Sequence, residues 1–211
     1  MDLNHEILKR LERHYPDAKP GLHFGSAFQL LIATILSAQT TDRQVNAVTE
    51  GLYKSHPDAE SMLALSRGEL EALIKSCGFY KTKAKNVLET CRILVDKYGG
   101  EVPQTMEELT ALPGVGRKTA NVVLSNAFGI PAIAVDTHVF RVTNRLGLAD
   151  AKDVIETEKQ LMRAIPKDKW SQAHHWLIWH GRRVCFARKP DCGGCFLADV
   201  CKYAKERNLC L

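Results

Sequence analysis

Apolar and polar positions alternate with a helical period along almost the whole chain. Between Lys81 and Tyr98, the apolar residues Val87, Cys91, Leu94 and Val95 fall on one face, and Gly99-Gly100 stops the pattern. The longest apolar stretch, "FQLLIATILSA", suits a buried core helix and is shorter than the ~18 residues a membrane span needs. Thr157 to Ile165 predicts a shorter amphipathic helix, ended by Pro166. Ser66 with Glu69, and Thr105 with Glu108, have the spacing of capping boxes. No stretch shows two-residue alternation flanked by hairpin turns, so the prediction is an all-α protein.

A loose internal repeat refines that picture. "ELEALIKSCGFYKTKAKNVL" can be laid against "ELTALPGVGRKTANVVL", both running helix, glycine turn, basic residues and then Asn-Val opening a second helix. Two copies are too few for a solenoid, so they predict paired helix–turn–helix units within one bundle. Composition adds little: 45% hydrophobic and 25% charged residues are ordinary for a soluble globular chain, and 211 residues allow one domain or two small ones. The net charge of +5, from 29 Lys and Arg against 24 Asp and Glu, permits a nucleic-acid partner without requiring one. "MDLNHEILKR" has no apolar signal core, which points to a reducing compartment. Of seven cysteines, four lie between Cys185 and Cys201, and metal binding is the better reading for them than disulfides.

Three stretches could carry chemistry. In "LPGVGRKTANVV", Pro113 and Gly114 end one helix, Gly116 is expected to make the tight turn, and Arg117 opens the next helix. Such a turn exposes amides that can hold a phosphate, although a purely structural corner explains the glycines equally well. A nucleotide P-loop is excluded, because Arg117 separates Gly116 from Lys118 and no strand precedes the turn. Lys118 itself is odd: a cation at a helix N-terminus opposes the macrodipole. In "PAIAVDTHVFRV", Asp136 stands where an N-cap would, and capping alone would justify it. Cys185, Cys192, Cys195 and Cys201 give C-x6-C-x2-C-x5-C, a spacing that leaves zinc and an iron–sulfur cluster both open. Cys77 and Cys91, read as lying on helical faces, and Cys210, in a tail, are taken as structural.

These motifs, with "LLIATILSAQTTD" (30–42) and "HHWLIWHGRRVC" (174–185), resemble in order and content the endonuclease III family of DNA-repair glycosylases, over nearly the whole chain. The resemblance implies a two-domain helix–hairpin–helix glycosylase fold: a six-helix bundle over 20–130, an iron–sulfur domain from 1–19 with 131–211, and a cleft between. Gly114, Gly116, Arg117 and Thr119 would grip the DNA backbone, and Lys118 would be the nucleophile on C1′. A nearby positive helix end and desolvation would then favour the neutral amine this attack needs. Asp136 would help deprotonate it and oppose the charge growing on the sugar. The four cysteines would hold a [4Fe–4S] cluster, whose loop presents Arg188 and Lys189 to phosphates, with Asp191 diluting the charge. Gln39 and Phe79 would fill the gap left by an extruded nucleotide; Phe79 stands where leucine is often found and reads equally well as packing beside a turn. Thr40, Asp42 and His138 would line the pocket, Arg141 would share it or reach phosphates, and Lys81 and Lys83 would lie against the duplex. The implied activity is a bifunctional glycosylase and abasic-site lyase on oxidised pyrimidines in double-stranded DNA, monomeric, cytoplasmic and nucleoid-associated, with no membrane partner. The rivals are a monofunctional glycosylase, disfavoured by Lys118, and a non-catalytic DNA-binding module with structural zinc.

Overall fold

The computed structural model describes residues 2–209, so Cys210 lies outside the described residues. Among these residues there are twelve α-helices, two short 310 turns and no strand, and the protein is all-α as the periodicity predicts. The chain divides into two compact units, Pro20–Ile130 and a discontinuous one of Met1–Lys19 with Pro131–Leu211.

The continuous unit is built around α2 (Ala27–Leu36), the "FQLLIATILSA" helix. Leu30, Leu31, Ile32 and Leu36 on it are wholly buried, each contributing about 1.5–3 kcal/mol of transfer free energy. It packs against α3 (Asp42–Ser55), α6 (Tyr80–Tyr98) and α8 (Arg117–Ala127), while α4 (Ala59–Leu63) and α5 (Arg67–Leu73) lie on α6 and α7 (Met106–Thr110) on α8. The two repeat copies are therefore α5–turn–α6 and α7–turn–α8. Helix α6 stops at Gly99, which takes φ +61°, and Gly100 N–H then closes on the Leu94 carbonyl.

The capping signals held unevenly. Ser66 and Glu69 form a full box, whereas the Glu108 carboxylate accepts from the Thr105 hydroxyl instead of the Thr105 amide. A second full box, Asp58 with Ser61, escaped the sequence pattern because serine replaces the usual glutamate. Cys91 is buried on α6, but Cys77 is buried in the turn after α5 and not on a helical face.

The discontinuous unit joins α1 (Leu3–His14) to α9 (Thr137–Leu146), α10 (Val154–Ala164), α11 (Trp170–Arg183) and α12 (Lys202–Glu206). Its core holds Ile7, Leu11, Val139, Leu161, Trp176 and Leu197, with α11 packed on both α1 and α9. Helix α10 begins three residues before the expected Thr157 because Asp153 caps it, accepting from the Ile155 and Glu156 amides. No described helix is long and apolar enough to cross a membrane.

Candidate active site and metal centre

The hairpin between α7 and α8 is shaped by a different glycine from the one expected. Gly114 takes φ +78°, while Gly116 is extended at φ −92° and stands as the N-cap of α8. A Cβ on Gly114 would lie 2.9 Å from Asn86 Nδ2, so α6 presses on the turn at that point. Buried Thr90, one turn along α6, donates its hydroxyl to the Pro113 carbonyl at 3.1 Å and fixes the turn from below. Around Gly116, by contrast, a Cβ would meet nothing within 4 Å. Helix α8 has neither a side-chain cap nor an acidic residue in its first turn, which leaves a positive N-terminus suited to an anion.

Lys118 is exposed on that first turn, next to exposed Arg117 and half-buried Thr119. The protein around it supplies the positive helix end but not the burial expected from the sequence. Asp136 caps α9, and its Oδ1 accepts both the His138 and the Val139 amide at 2.8 Å. Its Oδ2 receives no hydrogen bond from the described residues. His138 is half-buried, with Nδ1 3.1 Å from the Arg141 guanidinium. Arg141 also donates to the carbonyls of Cys185, Thr137 and Gly181, so it ties α9 to the end of α11 and is spent on the protein rather than on a pocket or phosphate.

Four exposed non-glycine residues stand on left-handed backbone, Gln39 at φ +52°, Phe79 at φ +57°, Lys189 at φ +51° and Asn208 at φ +51°; of these Phe79 is 67% exposed. For non-glycine residues this conformation costs about 1–3 kcal/mol and persists only where surroundings impose it. The Gln39 and Phe79 turns are neighbours, since a Cβ on Gly78 would lie 3.5 Å from the Gln39 carbonyl oxygen. Thr40 is half-buried beside them, Asp42 is the first residue of α3, and Lys81 is exposed on α6. Lys83 departs from expectation. It is 4% exposed, and its Nζ donates to the Leu36 carbonyl at 2.8 Å and the Thr40 hydroxyl at 2.9 Å, so it faces the interior and not a duplex. Burial lowers its pKa from the ordinary lysine value.

Cys185, Cys192, Cys195 and Cys201 line one cavity, with Arg145, Leu146, His180 and Tyr203 completing its wall. None of the described cysteines is in a disulfide. Four thiols around one shared cavity fit a cluster. Burial pushes the Cys195 thiol up to about 11.

The surrounding loop owes its shape to a residue the sequence reading passed over. Arg145 donates to the Phe186 and Ala187 carbonyls and lies 3.4 Å from Cys185 Sγ. Arg188 and Lys189 are both exposed on this loop. Asp191 does more than dilute their charge: its Oδ1 accepts the Gly194 amide, closing the turn between Cys192 and Cys195.

A family model described as "HhH-GPD superfamily base excision DNA repair protein" matches residues 32–167. A second, the iron-sulfur binding domain of endonuclease III, matches residues 185–201 and so spans all four cysteines. The chain is 49% identical to endonuclease III of Escherichia coli K12 over 97% of both chains, and 52% identical to that of Synechocystis over 95% of this chain and 92% of the relative. A solved structure of a trapped endonuclease III–DNA covalent intermediate superposes with a TM-score of 0.91 at 47% identity, covering 99% of this chain and all of that one. The chain belongs to the endonuclease III family, within the HhH-GPD base excision DNA repair superfamily. Its cofactor is a [4Fe–4S] cluster, and the matched iron-sulfur domain spans the four cysteines that line the cavity.

Proposed function

We propose that this chain, a base excision repair enzyme acting on DNA as a bifunctional DNA glycosylase and abasic-site lyase, removes oxidised pyrimidines from the duplex with Lys118 as its nucleophile. One observation carries the assignment: an exposed amine on the first turn of a helix whose N-terminus has no side-chain cap and no acid. The amine is exposed and able to meet a nucleotide brought to the helix end. DNA closing over it supplies the desolvation that the protein alone does not.

The neutral amine attacks C1′ as the glycosidic bond breaks and the base leaves with the bonding pair. The sugar ring opens to an imine between Lys118 Nζ and C1′. Loss of a C2′ proton then sends electrons toward that imine and expels the 3′ phosphate by β-elimination. Asp136 opposes the positive charge on the sugar through Oδ2, the oxygen its capping role leaves over. Gly116 and the α8 amides hold a backbone phosphate, and Arg188 and Lys189 dock another part of the strand. The cluster, when bound, supplies a rigid crosslink of the four cysteines and stands outside the excision chemistry. One chain carries every residue invoked, so the reaction needs no second subunit, and reduced cysteines suit the cytoplasm where it would meet the nucleoid.

That a relative has been caught as a covalent intermediate with DNA supports a nucleophile that bonds to the substrate. Borohydride added to enzyme and a duplex carrying one oxidised pyrimidine should trap a protein–DNA adduct. Lys118→Gln should bind that duplex yet give no adduct; trapping at the wild-type level would remove Lys118 from the mechanism.

A further inference from the structure

Lys83 is a charged side chain in an interior position with no carboxylate beside it. Its Nζ reaches two acceptors, the carbonyl of Leu36 and the hydroxyl of Thr40. Leu36 is the last residue of α2, where carbonyls lack helical partners and the macrodipole is negative, so an ammonium there acts as a C-terminal cap. Thr40 adjoins Gln39 in the loop that follows. The backbone of Lys83 is tied as well: its amide donates to the Phe79 carbonyl at 3.0 Å, the first helical bond of α6. A single residue thus fastens the Phe79 turn through its main chain and the Gln39 turn through its side chain. Gln44 Nε2 donates to Ser76 Oγ at 2.8 Å and adds a second bridge between the same two segments.

Resting on the reading of Gln39 and Phe79 as the side chains that replace an extruded nucleotide, we propose that Lys83 is the positioning residue for that pair, holding two left-handed turns in one register so that both side chains enter the helix together. The argument is one of preorganisation. Neither turn has a glycine to relax into positive φ at Gln39 or Phe79, so each must be imposed by its neighbours. A methionine at 83 would fill the space but leave the Leu36 carbonyl and Thr40 hydroxyl without their donor. The Gln39 loop would then sample other conformations, and insertion would become the slow event.

The test uses cluster-loaded wild type, Lys83→Met, Gln39→Ala and the double variant. Each is given a duplex with one oxidised pyrimidine and, separately, a single strand with an abasic site, where no base stack has to be opened. Single-turnover excision is followed together with 2-aminopurine fluorescence beside the lesion. Lys83→Met should slow duplex excision and the fluorescence rise by about 10- to 100-fold, the cost of a small misplacement, while single-strand cleavage changes by no more than about twofold on the same scale. In the Gln39→Ala background, Lys83→Met should add little, because it acts through the loop already disarmed. Equal loss on both substrates, or multiplicative loss in the double variant, overturns the proposal. Should Gln39→Ala leave duplex excision unchanged, the insertion reading itself fails and takes this one with it. If Lys83→Met does not fold, Lys83→Gln, which keeps a donor but shortens its reach, decides by the same substrate contrast.

Discussion

Gly114 holds φ +78° with an Asn86 amide 2.9 Å from where a Cβ would sit, so alanine there must strain the backbone and displace a neighbour. Gly114→Ala should lower stability by about 1–2 kcal/mol and weaken DNA binding as the hairpin shifts. Gly116 is extended with open space around it, so Gly116→Ala should leave the unfolding midpoint nearly unchanged while the methyl blocks close approach of a phosphate. Urea unfolding set beside DNA titration separates the two variants. That a tight turn lies here was legible from the glycines alone. Which glycine bends was not, because the choice is made by Asn86 and Thr90 on another helix, and no local pattern reports them. Lys83 shows the same limit: a lysine between exposed Lys81 and Lys85 reads as one more surface cation until the end of α2 is placed against it.

Helix α11 buries His174 and His175 together in the core of the discontinuous unit. Burial, followed by the neighbouring His174 charge, holds His175 down at about 3, below its ordinary 6.5. A depressed histidine stabilises the folded state while neutral and loses that contribution as pH falls from about 6.5 toward about 3. At pH 5 the loss from this residue reaches about 2 kcal/mol at most. Wild type should therefore become more sensitive to urea between pH 7 and pH 5, and His175→Gln should show a flatter dependence over the same interval. Equal slopes would show that other groups set the acid limit. Elements of this kind were readable wherever period and stop signal agreed, as in α6 with its Gly99 end. They were misjudged where a single capping residue decided the boundary, as Asp153 does for α10.

The cysteine spacing announced a metal in the sequence, and its fit to a cluster follows from how the whole unit closes. Cys201 is buried in the same core as Leu146, Leu197 and Ala204, with Cys185 and Cys195 packed against it, so these cysteines are part of the packing and not an appendage. Cys201→Ala should cost both iron and stability, seen as lost visible absorbance, low iron per chain and an earlier melt, whereas Cys77→Ala in the other unit should keep its iron. Arg145 has no signature in the sequence because its partners are main-chain carbonyls some forty positions away, a relation that only the folded chain creates. The unit's two parts are further apart still. Tyr15, next to α1, hydrogen-bonds His180 across 165 positions of sequence. Helix α1 leaves the ribosome well before α11, the helix it packs on, and the intervening bundle can assemble while it waits. Newborn chains would thus settle the earlier-made part of this unit only once its later part had arrived.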